Sequence, residues 1–502
     1  MNIIERFQDA WSEALDRPCL VSPQGPSLTY SEMDDLSARF AAVLLGAGLQ
    51  PGERVVVQVD KSFGNVALYL GVLRAGGVYV PLNTGYTTSE VRYFIENADP
   101  RVVVCRPSNV DEVSAIATDL GVPTVEAPGT DAATGLWAKA LAAAPARDVV
   151  EREPDDLAAI VYTSGTTGRS KGAMLSHANL IDNAEVLHKL WGFNSDDVLI
   201  HALPIFHVHG LFVALHTSML NATPMIFLPA FDAELIRSQL PKATLLMGVP
   251  TFYSRLGALD GFGADDCRNM RLFISGSAPL TAKASDDWTE KSGHRVLERY
   301  GMSEAGMITS NPLDGDRIAG TVGFAVPGYD IRVADDTGKE LPRGETGVIE
   351  IKGPSLFQGY WRMPEKTAEE FRADGYFITG DNAVMDETGR VSIVGRAKDL
   401  IISGGYNIYP KEIELVLDAI PGVLETAVIG APHPEMGEGV VAVLVATGAP
   451  VPDEQMKQAL EGSLARFKHP RRFIWLDALP RNTMGKVQKA ELRKQFAGAY
   501  SA

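Results

Sequence analysis

The segment Thr163-Ser-Gly-Thr-Thr-Gly-Arg-Ser-Lys-Gly172 gathers five hydroxyl side chains, three glycines and two cations into ten residues. Hydroxyls and backbone N–H groups donate to phosphate oxygens, glycines let the backbone close on a ligand, and a lysine adds a point charge. The segment is therefore a candidate phosphate loop, with Thr163, Ser164, Gly165, Thr166, Thr167, Gly168 and Lys171 as its contacts. It is not the G-x-x-x-x-G-K-[ST] type, because Lys171 follows Ser170 and precedes Gly172. A solvated turn is the plain alternative, and the density of donors argues against it. Further along stand single charged residues, Glu304, Asp381, Arg396 and Lys486. By type alone each reads as a solvated surface group.

The loop needs a rigid support. Leu157-Ala-Ala-Ile-Val-Tyr162, just before it, reads as a buried strand. Arg54-Val-Val-Val-Gln-Val59 and Arg101-Val-Val-Val-Cys105 are further strand runs. Between the strand patterns, Ser31 is read as the cap of a helix carrying Met33, Leu36, Phe40 and Leu44 on one face and stopped by Gly46 and Gly48. This alternation predicts α/β layers around parallel sheets. The Ala-rich stretch 132–146 reads as a surface helix and a connection. From about Asp330 to Ile351 short strands and Gly turns predict a small β subdomain. After Gly395-Arg-Ala-Lys-Asp399 comes a compact α/β region with a helix at Lys411–Leu417 and a strand at Gly439–Val445. The expected boundary is a sharp turn at Lys398, dividing 1–397 from a smaller domain at 398–502.

Bulk composition narrows the class. A chain of 502 residues implies roughly two to four units. A net charge of −17 argues against nucleic acid or an anionic membrane as partner. The three cysteines, Cys19, Cys105 and Cys267, lie far apart, which predicts no disulfide framework or structural zinc and a cytoplasmic setting. The N-terminal segment lacks the apolar run of a secretory signal, and no stretch approaches the ~20 apolar residues of a membrane helix. The expected partners are small molecules, and the expected assembly is a monomer or weak homo-oligomer.

In order along the chain stand Leu28-Thr-Tyr-Ser-Glu32, Gly76-Gly-Val-Tyr-Val-Pro-Leu82, the phosphate loop, Pro204-Ile-Phe-His-Val-His-Gly210 and Tyr300-Gly-Met-Ser-Glu304. Phe377-Ile-Thr-Gly-Asp381, Gly395-Arg-Ala-Lys-Asp399, Gly404-Gly-Tyr-Asn-Ile-Tyr-Pro-Lys-Glu-Ile-Glu414 and Pro480-Arg-Asn-Thr-Met-Gly-Lys486 follow. In this order the chain resembles the acyl-adenylate-forming enzymes: acyl-CoA synthetases, adenylation domains and luciferases. The resemblance implies a large N-terminal domain of layered α/β subdomains plus a small β subdomain, and a smaller mobile C-terminal α+β domain. It implies a carboxylate attacking the α-phosphate of ATP, pyrophosphate leaving, and the acyl-AMP then passing its acyl group to coenzyme A.

Carried over by resemblance, Lys486 is the adenylation lysine, Glu304 is associated with Mg²⁺, and His207 is a further catalytic candidate. The same resemblance places Gly276, Ser277, Ala278, Glu298, Tyr300, Gly301, Met302, Ser303, Asp381 and Arg396 around adenine and ribose. Arg299, His207, Ser277 and Met302 would line the acyl pocket. Gly404, Gly405, Tyr406, Lys468 and Arg472 would face coenzyme A, and Lys398 would be the hinge. Leu297-Glu-Arg-Tyr-Gly-Met302 and its neighbours look like the malonyl-CoA synthetase branch, and an arginine beside the adenylate suits a distal carboxylate. The alternative for Arg299 is an ion pair with Glu298. The small residues Ala305 and Gly306 keep methylmalonate open as an acid. A short- or medium-chain monocarboxylate ligase and a stand-alone enzyme loading a carrier protein stay open as well.

Overall fold

The computed structural model describes residues 1–129, 134–163, 170–403, 406–434, 436–461, 463–464, 466–482 and 485–500, with the side chains of Tyr406 and Asn407 not among them. The proposed phosphate contacts Ser164, Gly165, Thr166, Thr167 and Gly168, and the coenzyme A-side glycines Gly404 and Gly405, lie outside the described residues, as does the Tyr406 side chain.

The large N-terminal part is built on two sheets clothed by helices. One sheet runs in the order Thr124–Glu126, Val102–Cys105, Arg54–Gln58, Val78–Pro81, Leu157–Thr163, Lys171–Ser176. Its strands pair in parallel except for the last, which returns antiparallel to Leu157–Thr163 and so brackets the loop between Thr163 and Lys171. The β-branched runs at 54–58 and 102–105 are buried on both faces, as expected of strands inside a parallel sheet. The second sheet carries the parallel set Leu272–Ser275, Leu245–Gly248, Leu199–His201, Met225–Phe227 and Pro18–Val21. Leu297–Met302 extends this set in parallel and then turns antiparallel against Gly306–Ser310, with a bulge between Tyr300 and Gly301. One strand thus crosses from the core to the rim and delivers consecutive side chains to different places.

The helix expected to be capped by Ser31 instead runs Tyr30–Gly46 with Thr29 as its cap. The Thr29 hydroxyl accepts from the Glu32 N–H while the Glu32 carboxylate accepts from the Thr29 N–H, and this reciprocal box outcompetes a lone serine. In the Ala-rich stretch the helix spans Gly135–Ala142. The β subdomain is larger than expected: Asp330–Ala334, Thr346–Lys352, Phe377–Met385 and Val391–Arg396 form one antiparallel sheet. The last two strands place Asp381 opposite Arg396.

The smaller C-terminal part has its own sheet, Tyr406–Ile408, Ile401–Ser403, Gly437–Ala446 and Val423–His433, with Arg472–Leu476 parallel to Gly437–Ala446. Separate apolar clusters lie on its two faces, one around Ile413, Leu417 and Leu444, the other around Ile429, Val443 and Leu492. Lys398 is exposed in the short helical turn Ala397–Asp399 between the two parts.

Candidate active site

Pleating sends Arg299 to the opposite side of its strand from Glu298 and Tyr300. The guanidinium lies against Gly276, where an added Cβ would stand 2.3 Å from the guanidinium carbon. A side chain at position 276 is thereby excluded. Arg299 is 3% exposed. Its Nε and Nη2 have no hydrogen-bond partner among the described residues. No ion pair joins it to Glu298. Burial pushes its guanidinium down to about 9, which leaves it charged at neutral pH. An uncompensated buried cation is costly unless a ligand supplies the anion.

The histidines around Arg299 stay neutral. Burial pushes His207 down to about 3, with Lys486 and Arg299 adding repulsion. His209 falls well below its usual value for the same first reason, with Arg299 next. Ser277 Oγ lies 3.2 Å from His209 Nδ1, and the buried His209 Nε2 has no partner among the described residues. Ser277 itself has φ +68°, a left-handed conformation that costs a non-glycine residue energy and is typical of a ligand-shaped turn.

Lys486 reaches this centre from the C-terminal part. Its loop is closed by Asn482 N–H donating to the Lys486 carbonyl at 2.9 Å and Lys486 N–H donating to Asn482 Oδ1 at 2.9 Å. Neighbouring Gly485 faces Thr251 of the N-terminal part, where an added Cβ would lie 3.6 Å from Oγ1. The Lys486 ammonium is lowered first by burial and then by Arg396, while Asp381 and Glu304 oppose the shift. A long flexible cation is therefore held among both signs of charge.

Around it, Tyr300 Oη donates to Asp381 Oδ2 at 2.5 Å, and Arg396 Nε contacts Asp381 Oδ1 at 2.7 Å. Glu304 is buried, its carboxyl raised by desolvation, with Oε1 3.1 Å from Tyr360 Oη and 3.5 Å from Thr163 Oγ1. Lys171 Nζ contacts Glu370 Oε1 at 2.7 Å and lies 4.1 Å from the Tyr360 ring centroid, while Tyr360 Oη donates to Glu370 at 2.6 Å. Tyr360 and Glu370 escape a reading of the sequence because no local pattern marks them. His209 stands inside the motif Pro204–Gly210, which marks its segment although not its role.

Glu298 is buried on the other side of the strand, accepting the Gly320 N–H at 3.1 Å, and burial pushes its carboxyl up to about 8. An acid whose folded value exceeds its unfolded value holds more protons folded than unfolded between the two. Its stabilising contribution is complete below about 4.5 and is lost as pH rises through about 8. Glu298→Gln is expected to melt with wild type at pH 5 and a few degrees above it at pH 8.5. Parallel melting curves at both pH values would remove this role.

The structure thus brings Arg299, His207, Ser277, Tyr300, Glu304, Asp381, Arg396 and Lys486 into one region. Gly276, Ala278, Gly301, Met302 and Ser303 belong to the two segments lining it. Lys468 and Arg472 are elsewhere engaged: Lys468 pairs with Glu412, and Arg472 donates to the Ala499 carbonyl at 3.1 Å. Gly306 has φ +62°, and an added Cβ would stand 2.6 Å from the Asn183 amide, so its small size serves the turn before it serves any substrate. A cavity of about 670 Å³ opens beside Pro204, Ile205, Phe206 and Phe252, the residues flanking His207 and Thr251. No helix among the described residues is long and apolar enough to cross a membrane, and no cluster of three or more His, Cys, Asp or Glu there could hold a metal by itself.

The sequence profile of the AMP-binding enzyme family matches residues 7–361, and that of the AMP-binding enzyme C-terminal domain matches residues 412–486. The chain belongs to the AMP-binding enzyme family. Among members, the malonate–CoA ligase of Arabidopsis thaliana is 34% identical over 556 residues, covering 99% of this chain and 89% of that protein. The feruloyl-CoA synthase of an Amycolatopsis species is also 34% identical, over 94% of each chain. ATP-bound MatB from Rhodopseudomonas palustris is 52% identical over 100% of both chains, with a TM-score of 0.96. Against the apo form of MatB the TM-score is 0.86 at 53% identity, covering 100% of this chain and 99% of that one. The family likeness accounts for the two-part α/β architecture, a large N-terminal portion and a smaller C-terminal one.

Proposed function

We propose that this member of the AMP-binding enzyme family is an acid–thiol ligase that activates malonate with ATP and transfers the malonyl group to coenzyme A. The observation that carries the choice of acid is Arg299, a buried cation with unpartnered donors among the described residues, next to the adenylation centre. A malonate that presents one carboxylate to ATP brings a second one to this guanidinium.

In the first half-reaction a malonate oxygen attacks the α-phosphorus. The bond from that phosphorus to the β-bridging oxygen breaks, and pyrophosphate leaves with the electron pair. Lys486 sits between the attacking carboxylate and the α-phosphate and stabilises the charge that builds there. Lys171 exchanges Glu370 for the departing phosphates. Tyr300 supplies a ring for adenine, and Asp381 with Arg396 holds the ribose. Glu304 suits Mg²⁺, which takes one or two carboxylates and completes its shell with substrate phosphates and water. Held there, Mg²⁺ would supply positive charge opposite the departing pyrophosphate. In the second half-reaction the thiol sulfur attacks the acyl carbon, the bond to AMP breaks, and the thiol proton passes to solvent.

Both steps need the catalytic groups to change, so residues 398–502 move as a unit about Lys398 relative to residues 1–397. Closed, this unit inserts Lys486, and the likeness to ATP-bound MatB supports that this is the arrangement seen. Rotated, it withdraws Lys486 and carries Lys468 and Arg472 toward coenzyme A, exchanging their present partners. Free cysteines, all buried, fit a reducing cytoplasm.

The deciding experiment measures AMP release with malonate, methylmalonate, propionate and butyrate, with and without coenzyme A. Malonate is expected to show the highest kcat/KM, with methylmalonate next. Propionate exceeding malonate would remove the carboxylate role of Arg299, and turnover with a carrier protein but not free coenzyme A would replace the acceptor.

A further inference from the structure

The cavity of about 670 Å³ has three charged residues in its wall, Asp60, Lys61 and Arg106. Asp60 is spoken for: its Oδ1 accepts from Arg106 Nη2 at 2.6 Å and from Nε at 3.0 Å. Lys61 is held differently. Its Nζ donates to the His201 carbonyl at 2.8 Å and lies 3.0 Å from His201 Nδ1. The other ring nitrogen, Nε2, lies 2.9 Å from the Gly210 carbonyl and must donate to it, which leaves Nδ1 as an acceptor and the ring neutral. Lys61 Nζ also stands 4.2 Å from the Phe227 ring centroid. Every partner is neutral, and no carboxylate among the described residues pairs with Lys61.

The position of this cation relative to the chemistry follows from the chain. Pro204, Ile205 and Phe206 line the cavity and lead straight into His207, while Phe252 lines it next to Thr251, against which the Lys486 loop is seated. The cavity therefore abuts the acyl-transfer centre at one end and carries Lys61 and Arg106 in its wall. A cation placed in a partly desolvated pocket with only neutral dipoles around it is short of one negative charge. Burial drives its ammonium well below the usual value, and an incoming anion would restore the charged form.

We propose that Lys61 is an anion site for a phosphate of the thiol substrate, anchoring the acceptor while its sulfur reaches past Phe206 to the acyl carbon. His201 acts as the positioning residue that aims Lys61. The site rests on the reading of coenzyme A as acceptor. It is separate from the Lys468 and Arg472 patch, whose side chains are otherwise engaged.

The test compares wild type, Lys61→Gln and Lys61→Met with coenzyme A, dephospho-coenzyme A, 4′-phosphopantetheine and pantetheine as acceptors. Malonate-dependent ATP–pyrophosphate exchange, which needs no thiol, reports that each variant folds and adenylates. The expected result is a KM for coenzyme A raised about tenfold or more, equivalent to about 1.4 kcal/mol, with exchange close to wild type. Pantetheine, which has no phosphate, should show the same KM in all three proteins. Loss of the effect with dephospho-coenzyme A would assign the 3′-phosphate, and retention with 4′-phosphopantetheine would assign the phosphate nearest the arm. An unchanged KM for coenzyme A in both variants overturns the site while leaving the ligase reading intact. An equal penalty on pantetheine overturns it too, because Lys61 would then act on the thiol arm. Wild type forming no thioester from any of the four acceptors sinks the ligase reading and this site with it.

Discussion

Lys486→Ala is expected to lose acyl-adenylate formation by about a hundred- to a thousandfold, the usual effect of removing one preorganised transition-state donor. From the C-terminal part, this lysine comes within electrostatic reach of Arg299, Asp381, Glu304 and Arg396 together. Its loop is closed on itself through Asn482 and seated on Thr251, so truncating the side chain leaves the backbone arrangement in place. Supplied malonyl-AMP should still react with coenzyme A at close to the wild-type rate, because that step uses the rotated arrangement in which Lys486 is withdrawn. Single-turnover measurement of both half-reactions is the check. Equal loss in the two would count against a moving C-terminal unit and would make Lys486 a structural residue.

Arg299→Gln is expected to separate selectivity from catalysis. Truncating one member of a buried charge pair costs about 2–5 kcal/mol. The kcat/KM for malonate should therefore fall by about thirty- to several thousandfold. Propionate has no second carboxylate and loses only the neighbouring field, so its kcat/KM should hold or rise. Glutamine keeps hydrogen-bond donors near His209 and Ser277, which limits collapse of the pocket. The checking quantity is the ratio of the two kcat/KM values. A ratio that stays at the wild-type value would sink the role of Arg299 in choosing the acid, whatever the absolute loss.

Local patterns made part of this legible. The runs at 54–58 and 102–105 announce buried strands because β-branched residues with no polar interruption suit a sheet covered on both faces. The hydroxyl- and glycine-rich loop stands out as a phosphate candidate because its donors are neighbours in the chain. The start of Tyr30–Gly46 departs from the expectation of a Ser31 cap because Thr29, two residues earlier, forms a reciprocal box with Glu32. Only the first half of the β sheet at 330–396 is legible in the sequence. Its later strands hold Thr379, Asp381 and Arg396, polar residues that are placed for a site and blur the strand alternation.

The amino-acid order by itself determined which groups are available: a loop dense in hydroxyls and glycines, a lysine on a Gly loop near the C-terminus, an arginine one residue before Tyr300, and carboxylates at 304 and 381. Tertiary structure alone decided what charge each of them meets. Lys171 meets Glu370 across a separation of 199 residues, and the Tyr360 ring lies beside it. Arg299 meets two neutral histidines and, among the described residues, no carboxylate, although Glu298 is its neighbour in the chain, because pleating turns the two side chains apart. Protonation and ion pairing depend on burial and on distances of a few ångströms, and sequence separation carries neither. The candidate phosphate loop is legible where it stands, while the lack of a partner for Arg299 among the described residues, on which the proposed choice of acid rests, exists only in the folded chain.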